Sequence, residues 1–146
     1  MTVIRPAKPE DAPKLVEMGE RFFNASGMGE LTTFRTDVFL SALNHLYTNG
    51  ILLIADENGP VGMAAALVYP FYFSGDLAAQ EAFWWVDEEH RGIGSALLDA
   101  LISTAQARGA QSLTMIALDS LDPEKVGGMY ERRGFKKLEH SYIKKI

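Results

Sequence analysis

The segment Arg91-Gly92-Ile93-Gly94-Ser95-Ala96 holds the residue types best suited to ligand chemistry. Gly92, Gly94 and Ala96 let a ligand approach the backbone closely. The first N–H groups of a following helix have no partners within it, so with the helix dipole they favour an anion such as a phosphate. The same residues also suit a tight turn that binds nothing. A dinucleotide-binding turn fits less well. The third glycine of Gly-x-Gly-x-x-Gly would fall at Leu97, and no acidic residue closes a second strand about twenty residues on. Either reading needs a strand before the turn and a helix after it. Glu81 to Val86, with Phe83, Trp84 and Trp85, is an apolar run of strand length, stopped by Asp87-Glu88-Glu89-His90. From Ile93, the residues Leu97, Leu101 and Ala105 recur every fourth position, while Asp99, Ser103, Gln106 and Arg108 take the other face, which predicts a helix packed on a sheet.

Other chemically able residues offer less. His45, His90 and His140 lack metal-ligand spacing, and no cysteine is present, so a thiol nucleophile, a disulfide and a cysteine metal site are excluded. No metal is expected. Asp87, Glu88 and Glu89 read as a solvated acidic turn. Phe71, Tyr72 and Phe73 are either core residues at a strand end or the wall of a substrate pocket.

A length of 146 residues predicts one domain with a single core. The formal net charge of −5 argues against nucleic acid as the main partner. No run of about 18 apolar residues exists, and Met1 to Arg5 lacks a signal peptide's apolar core, so a cytoplasmic protein without a membrane partner is expected.

In chain order, Thr2 to Arg5 reads as a strand. A helix follows from about Pro9 to Asn24, burying Leu15, Met18 and Phe22. Thr36 caps a second helix whose inward face is Phe39, Leu40, Leu43, Leu46 and Tyr47. Ile51 to Ala55 and Val61 to Val68 form a hairpin about Asn58-Gly59, with a third antiparallel strand starting near Glu81. Ser112 to Leu118 is a fifth strand. Pro123 opens a last helix that Gly134 ends, and Lys136, Lys137, Lys144 and Lys145 fall on closing strands. Exposed strand edges near the carboxyl terminus make a homodimer an expectation.

Two segments carry a family resemblance. Arg91-Gly92-Ile93-Gly94-Ser95-Ala96 resembles the acyl-CoA binding signature Arg/Gln-x-x-Gly-x-Gly/Ala of the GNAT superfamily of N-acyltransferases. Tyr130-Glu131-Arg132-Arg133-Gly134-Phe135 is similar to that family's Tyr-Glu-x-x-Gly-Phe, and the two stand in family order. The opening Ile4-Arg5-Pro6-Ala7 with Asp11 adds a softer likeness. The chain departs from the family in three places. Against the form Arg-Gly-x-Gly-Ile-Gly-x-Ala-Leu-Leu it has two residues fewer between Arg91 and Ala96, so Arg91 fits either of two registers. The asparagine often found early in the last helix is missing around Pro123 to Lys125, and Val126 replaces the usual alanine.

The resemblance implies an α+β fold with a mostly antiparallel sheet of about six to seven strands flanked by about four helices. It implies acetyl-CoA as co-substrate, held along Trp85, Val86, Arg91, Gly92, Ile93, Gly94, Ser95 and Ala96, and an amine acceptor, either a small molecule or a peptide or protein. Transfer from a thioester needs a deprotonated amine, a stabilised oxyanion and a proton for the thiolate. The resemblance gives the first task to Glu81, the second to a backbone N–H near Val86 and the third to Tyr130; the plainer readings are a strand-opening glutamate and a buried tyrosine locking helix to sheet. Phe71, Tyr72 and Phe73 are the expected acceptor wall. The rival reading is a non-catalytic acyl-CoA-binding or interaction module on the same fold, favoured by the shortened loop and opposed by the retained Tyr130 and Glu81.

Overall fold

Strand alternation and helical periodicity assemble around the longest strand, Pro60–Pro70. A computed structural model describes the backbone of residues 1–146 and every side chain except that of Arg91. Among the described residues it contains five strands, β1 (Val3–Pro6), β2 (Ile51–Asp56), β3 (Pro60–Pro70), β4 (Leu77–Val86) and β5 (Ser112–Thr114). The four α-helices are α1 (Ala12–Ser26), α2 (Thr36–Asn49), α3 (Gly94–Ala107) and α4 (Pro123–Glu131). The strands form one mixed sheet in sequence order, antiparallel from β1 to β4, with β5 parallel to β4 across the α3 connection. The β2–β3 turn places Asn58 and Gly59 at φ 57° and 119°. Asp56 Oδ1 accepts the Gly59 N–H at 2.8 Å, which closes the turn.

Alternate residues of β3 feed two cores. Met63 and Ala65 face α1 and α2 together with Leu15, Met18, Leu43, Leu46, Ile54 and Phe83. Ala64 and Ala66 face α3 with Leu53, Ala79, Val86, Leu97, Leu101 and Ala105. The fully buried alanines bring both helical layers close to the sheet. Below β1, Arg5 makes a fork to both Asp11 carboxylate oxygens at 2.9 and 3.0 Å and also donates to Asp56, which fixes the entry to α1.

One irregularity in β4 decides where Glu81 points. Ala65 pairs with Phe83 but Ala66 pairs with Glu81, so Ala82 is a bulge, an extra residue in β4. Phe83 and Trp85 therefore face α1 and α2, whereas Glu81, like Ala66 beside it, faces α3.

The structure corrects several sequence expectations. The sheet has five strands rather than six or seven. β5 ends at Thr114 rather than Leu118, because its neighbour β4 parts from it there, and a strand lasts only as long as its ladder. Among the described residues no strand forms beyond Gly134, so Lys136, Lys137, Lys144 and Lys145 lie on an exposed tail without helix or strand. β4 starts at Leu77, before Glu81. Leu40 and Tyr47 of α2 are exposed, since that helix rests on the sheet through Leu43 and Leu46.

Candidate active site

The site is made by two strands that separate. β4 pairs with β5 only from Ala78 to Gln80 against Ser112 to Thr114. Past that point β4 continues alone. The Asp87 N–H donates to Val61 O on β3 at 2.9 Å, so alternation turns the N–H and C=O groups of Val86 and Trp84 to the open side. A cleft of about 410 Å³ fills the gap, walled by Glu81, Trp84, Trp85, Val86 and Gly94 on one side and by Ile116, Leu118, Val126 and Met129 on the other.

The turn expected to hold a phosphate lies at the mouth of this cleft. Residues Glu88–Ile93 form a 3-10 turn, broken at His90, that runs into α3 at Gly94. Among the described residues no side chain caps the amino terminus of α3, and such unpaired first N–H groups suit an anion. A Cβ placed on Gly92 would meet no atom within 4 Å, and one on Gly94 would lie 3.5 Å from the Trp84 ring, so this backbone can be approached from the cleft. The expected partner Arg91 has its side chain outside the described residues.

A second observation also suits a ligand that carries hydrogen-bond acceptors. Among the described residues, Trp84 Nε1 is the buried side-chain polar atom without a hydrogen-bond partner. A buried donor without an acceptor costs about 1–3 kcal/mol. The Trp84 ring packs at a tilt against that of Tyr130, 5.9 Å between centroids.

Glu81 and Tyr130 meet through Ile116. The Ile116 N–H donates to Glu81 Oε1 at 2.9 Å, and the Tyr130 hydroxyl donates to Ile116 O at 2.6 Å. The bulge at Ala82 aims Glu81 at this point, and Phe135, 5.5 Å from Tyr130, packs behind the phenol. Glu81 is only 8% exposed. Burial raises its pKa to about 7, against the opposing pull of the Ile116 N–H and of Tyr130. Burial, then the charge and hydrogen bonding of Glu81, push the Tyr130 phenol well above its ordinary range. The phenol donates its proton to the Ile116 carbonyl at 2.6 Å, and the Glu81 carboxyl lies close enough to act on the same hydroxyl. The arrangement pairs a base poised near neutrality with a phenol that keeps its proton.

The other predicted residues are placed as follows. Trp85 is buried against Phe22 and donates to Asp87 Oδ1 at 3.0 Å. Phe71, Tyr72 and Phe73 cluster at the tip of the β3–β4 hairpin, with Tyr72 and Phe73 exposed. They are not among the residues that line the cleft. The four steps from Leu77 to Glu81 alone span roughly 13 Å of strand. Asp87, read from sequence as part of a solvated turn, is held by a two-bond fork from Arg21 of α1 at 2.9 Å each and anchors the end of β4. Ile116 contributes only backbone atoms, so residue type gave no signal for it. Trp84 had a signal, an indole on the same strand face as Val86, but it reads equally as core.

Among the described residues no group of three His, Asp or Glu side chains could hold a metal ion, and no helix is long and apolar enough to cross a membrane. The model of the Acetyltransferase (GNAT) family matches residues 16–135. Solved structures match over almost the whole chain. A transcriptional regulator from Bacillus halodurans C-125 superposes with a TM-score of 0.78 at 20% identity, covering 100% of both chains. A ribosomal-protein-alanine N-acetyltransferase from Brucella melitensis biovar Abortus 2308 gives 0.76 at 22% identity, covering 100% of this chain and 99% of that one. The aminoglycoside acetyltransferase meta-AAC0020, from an uncultured soil metagenomic sample, gives 0.74 at 21% identity, covering 98% and 95%. Among curated proteins none matches the sequence.

Proposed function

The chain belongs to the Acetyltransferase (GNAT) family, and we propose that it is an acetyl-CoA-dependent N-acetyltransferase that works by direct attack of an amine, with Glu81 as general base and Tyr130 as general acid. The observation that carries this reading is the buried Glu81 on the wall of the β4–β5 cleft, with a pKa of about 7, joined through Ile116 to the buried Tyr130 behind that wall.

Bound acetyl-CoA supplies an acetyl thioester. Gly92, Ile93, Gly94, Ser95 and Ala96, with Arg91, hold its phosphates at the α3 amino terminus. The open edge of β4 at Trp84 and Val86, with Trp85 behind it, orients the arm that enters the cleft and offers an N–H where negative charge develops. The Trp84 indole N–H gains its missing acceptor there. Glu81 takes a proton from the incoming ammonium at its carboxylate, and the rise of its pKa to about 7 fits that task better than an ordinary glutamate would. Tyr130 holds its proton in the cleft for release to the departing sulfur. The net charge of −5 draws a cationic acceptor amine. Phe71, Tyr72 and Phe73 stand beyond the cleft, so they reach only an acceptor as long as a peptide or protein.

The test is thiol release from acetyl-CoA across a panel of small amines, peptide amino termini and lysine peptides, beside calorimetric titration with acetyl-CoA. Turnover with at least one amine, with Tyr130→Phe retaining acetyl-CoA binding while kcat falls about a hundredfold or more, is the expected result. Tight binding without turnover on any amine would sink the catalytic reading in favour of a binding module.

A further inference from the structure

The cleft passes through the sheet, and its two mouths differ in chemistry. Because β4 and β5 part, side chains from both helical layers line it: Val86 and Gly94 belong to the α3 side, Trp85 and Phe22 to the α1 side. On the α3 side, the turn from Gly92 to Ala96 suits an anion. The α1 side offers rings. Phe22 is half-buried and meets the Trp85 ring edge-on, 6.0 Å between centroids. The aromatic surface continues from there. Phe83, two residues along the same strand face, packs on Phe39 at 5.6 Å, and Phe39 packs on Phe34 at 5.3 Å.

The polar groups beside these rings are already engaged. The Trp85 indole N–H donates to Asp87 Oδ1 at 3.0 Å. Asp87 also holds the Arg21 guanidinium by two bonds of 2.9 Å, so the charge next to Phe22 and the charge just past Trp85 answer each other. Among the described residues, the cleft lining has three charged side chains, Glu81, Asp122 and Lys125. With Glu81 ionised, that is one negative charge in excess, which matches one ammonium. A second ammonium at the α1 mouth would lose water against Phe22 with no carboxylate in exchange, and a ring face offsets only part of that cost.

We propose that the acceptor is a small apolar monoamine, a primary amine whose substituent is a hydrocarbon or aryl group, and that Phe22 sets this preference. The ammonium lies toward Glu81, and the apolar group rests on Phe22 and the Trp85 ring. Burying such a group is worth roughly tenfold to a hundredfold in affinity. The direction of entry rests on the acetyl-transfer reading, which fills the α3 mouth with phosphates. The preference itself rests on the rings and on the pairing of Arg21 with Asp87.

The experiment is calorimetric titration of the full chain, with and without coenzyme A, using four primary amines. Two are apolar, 2-phenylethylamine and 3-methylbutylamine; the others are 1,4-diaminobutane and 2-methoxyethylamine. The expected result is that the apolar pair binds at least about tenfold more tightly than the other two. Phe22→Ala should shrink that ratio to about threefold or less, and Phe22→Leu should keep most of it. The ratio on the unmodified chain stands as a test even if both variants fail to fold. Equal binding of the four amines, a preference for the diamine, or no binding of any would overturn the proposal. So would a preference that survives Phe22→Ala intact, since its source would then lie elsewhere. Thiol release from acetyl-CoA separates this inference from the reading it rests on. Apolar amines that bind selectively and are not acetylated sink the acetyl-transfer reading and leave the preference standing, whereas faster acetylation of the diamine does the reverse.

Discussion

The β2–β3 pair and the β4–β5 pair are built from similar apolar residues and end in opposite ways. β2 and β3 stay paired from Ile51 to Asp56, and the side chains between them and the helices are aliphatic and sealed. β4 and β5 pair over three residues and then part, and around the gap gather a carboxyl, a buried phenol and a buried indole N–H without an acceptor. The closed pair makes stability, and the parted pair gives up ladder hydrogen bonds to make room for polar groups. Burial does different work in each. In the first it removes apolar surface from water; in the second it moves the pKa of Glu81.

The sharpest way to break this contrast is Glu81→Gln. It keeps an acceptor for the Ile116 N–H and removes the base, so turnover should fall about 10²- to 10⁴-fold while acetyl-CoA still binds, measured by thiol release and calorimetry. Retained turnover would place the base elsewhere. On the closed side, Leu101→Ala should cost about 2–5 kcal/mol in denaturant unfolding with little change in KM, since Leu101 is fully buried in the aliphatic layer under α3. A comparable change in KM would mean the two regions are not separate.

Next in size is pH. The folded-state pKa of Glu81 is raised from 4.5 to about 7. Its contribution to stability is thus complete below the unfolded value and is lost as pH rises through about 7, a difference of about 3 kcal/mol. Unfolding curves should show that decline, flattened in Glu81→Gln, while kcat/KM rises over the same window and levels off above it. Stability that is level from about pH 5 to about pH 8 would rule out a titrating buried carboxyl. The smallest expected effect is Trp84→Phe. Losing one indole donor should raise the acetyl-CoA KM about tenfold with kcat nearly kept. An unchanged KM would mean that the orphan N–H meets nothing on the ligand.

How much of this was legible in the sequence depended on whether a feature repeats. The α3 stripe of Leu97, Leu101 and Ala105 and the strand before it stood out because helix and strand periods are local. The Tyr130 to Phe135 segment was legible through resemblance to the family, and the comparisons bear out the family. Three things were hidden. The length of β5 is set by where β4 leaves it, which is a tertiary fact. Arg21 and Asp87 lie far apart in sequence, and a fork between them leaves no pattern. Leu40 and Tyr47 satisfied the helical period yet face solvent, because the period gives a stripe's direction and not its width. The strands expected after Gly134 do not form for a related reason: a segment is a strand only where it joins a ladder, and residues 136–146 join none.

The bulge at Ala82 has a consequence for inheritance. The extra residue is absorbed without turning over the rest of the strand, since Ala65 stays opposite Phe83 and Ala66 opposite Glu81. Deleting the single codon for Ala82 would join those two pairs into an unbroken ladder and leave the carboxyl on the α3 side. A lineage carrying this sheet can thus lose or regain that residue in one three-nucleotide step while Glu81 keeps its place.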